Sequence, residues 1–268
     1  MRAMPGRQAA MDCTLINKRV KEKAGIGKDK PRICTAGLKK NECKPWLKRM
    51  WCIQEITQEY RTRMYRLLDL YKQAYDPLQP VVCMDEKSKQ LLEDNRKPIK
   101  AKPGKLEKYD YEYKRNGTCN IFVAVVPKGG IHLVKVTDRR TKEDFAYFIE
   151  DLVEKHFPEA NYIQLVLDNL NTHFEGSVIE TFGKRKAKRL LKKIKFIYTP
   201  KHGSWLNMAE LEINAMDRQC TGGRIESKEK LLSELLIWSK QRNEERININ
   251  WGFTRQDADK KLSRNYVA

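Results

Sequence analysis

Three acidic residues stand where a nuclease would hold metal ions. Asp85 ends the apolar run Val81-Val82-Cys83-Met84. Asp168 ends the apolar run Ile163 to Leu167 and opens Asp168-Asn169-Leu170-Asn171-Thr172-His173. Glu210 closes the stretch His202-Gly203-Ser204-Trp205-Leu206-Asn207-Met208-Ala209-Glu210. Two carboxylates at strand ends and a third on a following helix can converge at one edge of a sheet. Converging carboxylates repel unless hard divalent cations neutralise them. Two such ions can activate a nucleophile and stabilise the leaving oxygen of a phosphodiester. Each residue alone has a plainer reading. Asp85 could cap a strand or helix, Asp168-Asn169 could form an Asx turn, and Glu210 could sit on a solvated helix. The separations, 83 residues and then 42, leave room for the strands and helices that would bring all three together.

Two neighbours compete as ligands. Glu86 points opposite to Asp85 in a strand. Glu212 lies roughly 200° from Glu210 around a helix. Both Glu210 and Glu212 flank the apolar stripe Leu206, Ala209, Ile213 and Met216, so periodicity does not choose between them. The residue that is not a ligand is expected to make at most a surface interaction. Asn169, His173 and Asn207 either orient water, phosphate or a carboxylate, or make ordinary turn and cap hydrogen bonds. Lys201 and His202, before Gly203-Ser204, are candidate DNA contacts. So is the run Lys184 to Lys195, with eight basic residues in twelve and no acid. Its Ala187, Leu190, Leu191 and Ile194 would dock a helix and leave Lys184, Arg185, Lys188 and Arg189 outside. Such cations position a phosphate backbone without reading sequence. The basic loop Arg96–Lys108 is a second candidate strip.

These residues need elements to hold them. Apolar positions Tyr60, Met64, Leu67, Leu68, Tyr71 and Tyr75 follow helical spacing, and Asp76-Pro77 and Pro80 end that helix. It reads as a connector over 57–79. Val81–Asp85 reads as a short buried strand. Asn120–Val126 and Ile131–Thr137 read as a hairpin through Pro127-Lys128-Gly129-Gly130. Thr141 with Asp144 is a capping box for a helix whose stripe is Phe145, Phe148, Ile149, Leu152 and Val153. Tyr162–Asp168 and Lys195–Thr199 read as further strands. Helices are expected over Glu175–Phe182, Lys184–Lys193, Trp205–Gln219, Ser227–Asn243 and Thr254–Leu262. This order fits an α/β fold, a mixed sheet covered by helices.

Composition narrows the function classes. A chain of 268 residues with 40% hydrophobic residues can bury a sizeable core. Its 54 Lys+Arg against 35 Asp+Glu give a net charge of +19, which favours a polyanion such as nucleic acid. Residues 1–50 hold 14 Lys/Arg against 4 Asp/Glu, so over half of that excess sits in an N-terminal arm. No run approaches a membrane-spanning length, and no secretory signal is visible at the start. The seven cysteines, at 13, 34, 43, 52, 83, 119 and 220, include no Cys-x-x-Cys pair, so reduced thiols in a cytosolic protein are expected. The four histidines lack the His-x-x-x-His spacing of a zinc peptidase. Gly-x-Ser-x-Gly and a Walker A loop are absent, which argues against an α/β-hydrolase and against ATP.

The motifs in order carry a family resemblance. They are Tyr75-Asp76-Pro77, Val81-Val82-Cys83-Met84-Asp85-Glu86-Lys87, Tyr109-Asp110-Tyr111-Glu112-Tyr113 and Val136-Thr137-Asp138-Arg139-Arg140-Thr141-Lys142-Glu143-Asp144. Val166-Leu167-Asp168-Asn169-Leu170-Asn171-Thr172-His173 follows, then Tyr198-Thr199-Pro200-Lys201-His202-Gly203-Ser204-Trp205-Leu206-Asn207-Met208-Ala209-Glu210 and Asn250-Trp251-Gly252-Phe253-Thr254. From about Asp76 to Leu262 the chain resembles transposases of the bacterial insertion-sequence-630 family, within the mariner-like superfamily. The resemblance implies a ribonuclease-H-like catalytic domain over 80–268 with a DDE triad, Asp85, Asp168 and Glu210. The family's Leu-Asn-x-x-Glu pattern is what selects Glu210. It also implies two Mg2+ ions, replaceable by Mn2+, and double-stranded DNA as partner, both element ends and target. A homodimer on DNA, no membrane, and a bacterial cytoplasmic, nucleoid-associated location complete the expectation. Arg32 to Ile53 resembles the end of the family's helix-turn-helix region, so residues 1–56 read as a basic arm with a partial helix-turn-helix. That shortened region motivates one rival, a catalytically idle DNA-binding remnant, and a second rival is an RNA-processing nuclease of similar fold.

Overall fold

The computed structural model describes residues 55–267. The basic arm and partial helix-turn-helix read over 1–56 lie, apart from their last two residues, outside the described residues. In chain order the elements are α1 (Gln58–Lys72), β1 (Val81–Asp94), β2 (Tyr113–Val126), β3 (Ile131–Thr137), α2 (Lys142–Asp151), β4 (Ile163–Leu167), α3 (Glu175–Leu191), β5 (Ile194–Tyr198), α4 (Ala209–Met216), α5 (Lys228–Glu244) and α6 (Arg255–Leu262). The strands form one five-stranded sheet in the order β3-β2-β1-β4-β5. β1 pairs antiparallel with β2, and β2 with β3. β4 runs parallel to both β1 and β5. The result is a mixed sheet with helices on its faces, the architecture expected from the order of elements.

Strand alternation divides the core between the two faces. Val82, Met84, Leu165 and Leu167 face one way, packed with Phe145, Phe148, Ile149 and Leu152 of α2 and its continuation. Cys83, Val125, Val166 and Ile197 face the other way, packed against Met64, Leu67, Leu68 and Tyr71 of α1. The helix read as a connector thus covers one face of the sheet. Each of these fully buried side chains contributes about 1.5–3 kcal/mol relative to exposure. Thr141 and Asp144 cap α2 reciprocally. The Asp144 N–H donates to Thr141 Oγ1 at 3.2 Å and the Thr141 N–H to Asp144 Oδ2 at 2.9 Å. All five stripe residues expected on that helix are buried.

Three local outcomes depart from the linear reading or sharpen it. β1 does not stop at Asp85. It pairs with β4 only over Val81 to Cys83 but continues along β2 to Asp94. Glu86 to Gln90 are polar, so the apolar run ends early. The backbone partners come from β2, and one face of this longer ribbon is covered where Leu91, Cys119 and Ile121 pack with Met216, Ile225, Leu231 and Leu235. Asp85 is therefore a mid-strand residue placed where β4 falls away from the side of β1. The two helices read on either side of Gly183 are joined as α3 across a kink, with Gly183 at φ 72° and ψ 163°, a conformation essentially open only to glycine. Third, the helix expected over Trp205–Gln219 is broken into a 3-10 turn at Ser204–Leu206, α4, and a wider turn at Asp217–Thr221.

Candidate active site

Asp85 and Asp168 share a face. Cys83 of β1 is in register with Val166 of β4, and each carboxylate lies two residues further along its strand. Two-residue steps preserve the face, so both side chains emerge on the α1 side at the same end of the sheet. Glu210 comes from the first turn of α4. Asn207 ties that turn to β1, because its Nδ2 donates to the carbonyl of Met84 at 2.8 Å, next to Asp85. Its Oδ1 accepts from the Ala209 N–H at 3.2 Å, which starts the helix. Both glutamate candidates leave the same short helix, and the fold separates them.

Glu212 turns inward. It is 1% exposed and bonded twice by Arg242 of α5, Nε to Oε1 at 2.7 Å and Nη2 to Oε2 at 2.8 Å. His132 Nδ1 of β3 lies 2.7 Å from Glu212 Oε1. Burial pushes the Glu212 carboxyl up, but His132 and Arg242 outweigh it and hold it below its ordinary value. The expectation that Glu212 makes at most a surface interaction is therefore corrected. Hydrophobic spacing could not reveal this, because the pairing cation is 30 residues away on another helix. Glu210, roughly 200° around α4, is left on the side of Asp85.

The electrostatics of Asp85 report that convergence. Burial pushes its carboxyl up to about 6, and the charges of Asp168 and Glu210 push the same way. Opposing them are the Glu86 N–H, which donates to Asp85 Oδ1 at 2.7 Å, and the charge of His173. Asp168 behaves oppositely. Burial would raise it, but the bond and charge of His173, the Leu170 N–H and Arg140 bring it below its ordinary value. His173 Nδ1 lies 2.8 Å from Asp168 Oδ1, and His173 Nε2 lies 2.9 Å from Glu86 Oε1. Burial alone would lower the imidazole, but bonds to Asp168 and Glu86 and their charges raise it to about 9. His173 is therefore an imidazolium at neutral pH, 1% exposed, with its ring 5.0 Å from that of Phe145.

The remaining sequence candidates divide. Asn169 Nδ2 donates to the Thr199 carbonyl at 2.7 Å and so joins β4 to the end of β5. Lys201 and His202 are exposed just beyond β5, at the same end of the sheet as Asp168. His202 sits in a left-handed turn at φ 61°. Lys184, Arg185, Lys188 and Arg189 are exposed on the second half of α3, which packs through Ala187 and Leu190 on the face opposite the carboxylates. α3 leaves Asp168 at its N-terminus and ends where Lys193 accepts from the Ile163 N–H at 2.7 Å, at the opposite end of β4. Arg189 is also paired with Glu154. Composition alone did not single out Arg140 or Arg63, whose Nη1 lies 3.5 Å from Asn169 Oδ1. Both are ordinary surface arginines in sequence, with no local pattern to mark them. The loop Arg96–Lys108 holds two isolated bridges, Ile99 with Lys108 and Lys102 with Lys105, and leaves Ile99 and Leu106 exposed.

The donor set suits hard cations, since three mutually repelling oxygen ligands gain most from one. Among the described residues no three metal-ligating side chains already surround one point. That arrangement still suits Mg2+, which is held by one or two carboxylates with water and substrate phosphate as the other ligands. The thiols are poor candidates, because burial pushes Cys83 up to about 12 and it remains a neutral thiol. Among the described residues no helix is long and apolar enough to cross a membrane.

Comparison with known proteins agrees with this geometry. A family described as DDE superfamily endonuclease matches residues 80–232. The chain is similar in fold to the Mos1 transposase paired-end complex with left transposon end, at TM-score 0.54 and 15% identity, covering 100% of this chain and 82% of that one. The Mos1 strand transfer complex gives TM-score 0.54 at 11% identity, covering 100% and 81%. The mariner Mos1 paired end complex with Mg gives TM-score 0.54 at 14% identity, covering 100% and 82%. No curated protein matches the sequence. The sheet and its helices are thus of the ribonuclease-H-like kind seen in that transposase's catalytic domain.

Proposed function

The chain belongs to the DDE superfamily of endonucleases, and on that premise we propose that it is a DNA transposase of the insertion-sequence-630 branch, which cleaves DNA at element ends and joins a 3′-hydroxyl end to target DNA. The observation that carries the reading is the placement of Asp85 and Asp168 on one face at one end of the sheet, with Glu210 close enough that, after burial, its charge and that of Asp168 add to the rise of the Asp85 carboxyl. The motifs from Tyr75 to Thr254, and a fold similar to paired-end and strand transfer complexes of Mos1, support it. Double-stranded DNA is the partner, and a homodimer would pair two ends.

Asp85 and Asp168 would hold two divalent cations, Mg2+ with Mn2+ as a substitute, and Glu210 would complete the second site. Such ions, once bound, supply the positive charge that activates a nucleophile and stabilises the leaving oxygen of a phosphodiester. The chain's own residues set the geometry. His173 holds Asp168 Oδ1, which leaves Oδ2 free to face outward. Asn207 and the buried pair Glu212–Arg242 fix α4, so Glu210 keeps one orientation. Asn169 holds the end of β5, and with it Lys201 and His202, beside Asp168.

The test is nicking of supercoiled plasmid in magnesium by the wild-type chain and by Asp85→Asn and Asp168→Asn. Each variant keeps its shape but loses the charge that holds a hard cation. Loss of nicking with DNA binding retained is expected. Nicking by either variant at the wild-type rate would sink the assignment, and a wild-type chain that binds without nicking would favour the idle remnant.

A further inference from the structure

The face of the sheet that carries Asp85 and Asp168 also carries a groove. It has a volume of about 610 Å³, lies between α1 and β5, and is lined by Thr62, Arg66, Asp69, Lys195, Ile197 and Arg255 among others. Ile197 belongs to the same buried cluster as Cys83 and Val166, the residues two positions before the carboxylates, so groove and carboxylates are on one side. β5 is an edge strand, and among the described residues no further strand closes the groove's outer side. One end of the groove leads to the candidate site. Arg63, which reaches Asn169 at 3.5 Å, is three residues before Arg66 on α1. Lys195 is four residues before Thr199, whose carbonyl accepts from Asn169. Four residues of extended chain span roughly 13 Å.

The charge of the groove is positive and partly uncommitted. Arg66 and Lys195 are exposed, and neither makes an ion pair among the described residues. Lys195 Nζ lies 3.4 Å over the ring of Tyr162, which holds its stem along the strand. Asp69 is the one acid in the lining, and Arg255 is bonded to it. Arg255 keeps a buried Nε without a partner. The basic half of α3 contrasts on both counts. Lys186 and Arg189 are paired with Glu150 and Glu154, and the helix packs through Ala187 and Leu190 on the opposite face of the sheet.

We infer that this groove receives the phosphodiester backbone of the DNA strand that passes the carboxylates, with Arg66 and Lys195 as its phosphate contacts. The inference rests on the DNA-cleaving reading above. The groove sets the strand's direction of approach, whereas the basic half of α3 lies on the opposite face of the sheet from the carboxylates.

The full chain is compared with the double variant Arg66→Glu/Lys195→Glu and with Lys230→Glu/Lys240→Glu, which makes the same charge change on α5. Binding to a labelled duplex is followed by fluorescence anisotropy across a salt series, and plasmid nicking is measured at saturating DNA. The groove variant is expected to bind at least tenfold more weakly, with a salt dependence shallower by roughly 0.9 per lost phosphate contact. It is also expected to nick at least tenfold more slowly when saturated, while the α5 variant stays within about twofold of wild type. The milder Arg66→Gln/Lys195→Gln double, with its melting temperature checked against wild type, guards against a folding defect and should fall between the two. A groove variant that binds and nicks like the α5 variant, beside an active wild type, overturns the inference. A wild-type chain that neither binds nor nicks DNA instead overturns the functional reading beneath it.

Discussion

His173 and Glu86 meet at 2.9 Å inside the sheet's helical cover, although Glu86 points away from the face that carries Asp85. The imidazole takes Asp168 on its other nitrogen at 2.8 Å, so one buried cation joins carboxylates from two strands. Glu86 Oε2 has no further partner and is buried, which makes the imidazolium the main compensation for that charge. The pair therefore stabilises the fold and also sets the rotamer of Asp168.

Replacing His173 with Ala should destabilise the chain by about 3–5 kcal/mol at pH 7, the usual cost of leaving a buried charge unpaired. The folded imidazole titrates near 9, above its ordinary 6.5. Its contribution is fully present below pH 6.5 and is lost as pH rises through about 9. Urea unfolding of both proteins at pH 6, 8 and 10 checks this, and the gap between them should narrow at pH 10. A gap independent of pH would mean that the ring acts by packing alone.

Asp85→Asn should stabilise the metal-free chain. The folded carboxyl titrates near 6 against an ordinary 3.8, so the folded state holds the proton more tightly than the unfolded one. Asp85 is least costly below pH 3.8, and its penalty is complete above about pH 6. The variant should gain on the order of 2 kcal/mol at pH 8 and little at pH 4. Thermal melts in a chelator at both values measure it, and an equal gain at both would contradict the account by burial and carboxylate repulsion.

Glu210 and Glu212 should fail in different ways. Glu210→Gln is expected to cut nicking by orders of magnitude and to leave the melting temperature near wild type, because transition-state charge stabilisation is lost. Glu212→Ala strands a buried Arg242 and should cost about 3–5 kcal/mol of stability. Nicking and denaturant midpoints of both variants, measured side by side, separate the roles. A stable but inactive Glu212 variant next to an active Glu210 variant would reassign the third ligand.

The basic half of α3 should act on affinity for any sequence. Replacing Lys184, Arg185, Lys188 and Arg189 with Ala should weaken binding to all duplexes alike and flatten the salt dependence, by roughly 0.9 per lost phosphate contact. Arg189 should contribute least, since Glu154 already engages it. Binding isotherms on two unrelated duplexes test this, and a loss confined to one of them would contradict a backbone role.

Much of the fold was legible in the chain because its signals are local. The capping box at Thr141, the hairpin at Pro127-Lys128-Gly129-Gly130 and the stripe from Phe145 to Val153 depend on residues within one or two turns of each other, and each formed where the spacing put it. The apolar runs before Asp85 and Asp168 likewise became the paired strands that bring the two carboxylates to one face. What the linear pattern could not contain was pairing between distant groups. β1 runs to Asp94 because β2 supplies its hydrogen bonds, so its polar second half carried no strand signal of its own. Glu212 and Glu210 are equivalent by helical spacing and differ only because Arg242 arrives from α5 to pair with one of them. The basic run Lys184–Lys195 was conspicuous by composition, yet its helical part packs on the face opposite Asp85 and Asp168, while Lys195, at its end on β5, and Arg66 of α1 line a groove on the carboxylates' face. Short-range periodicity decides which face of an element is apolar. Which charges meet across those faces depends on the order of strands in the sheet, and three-dimensional packing settles that.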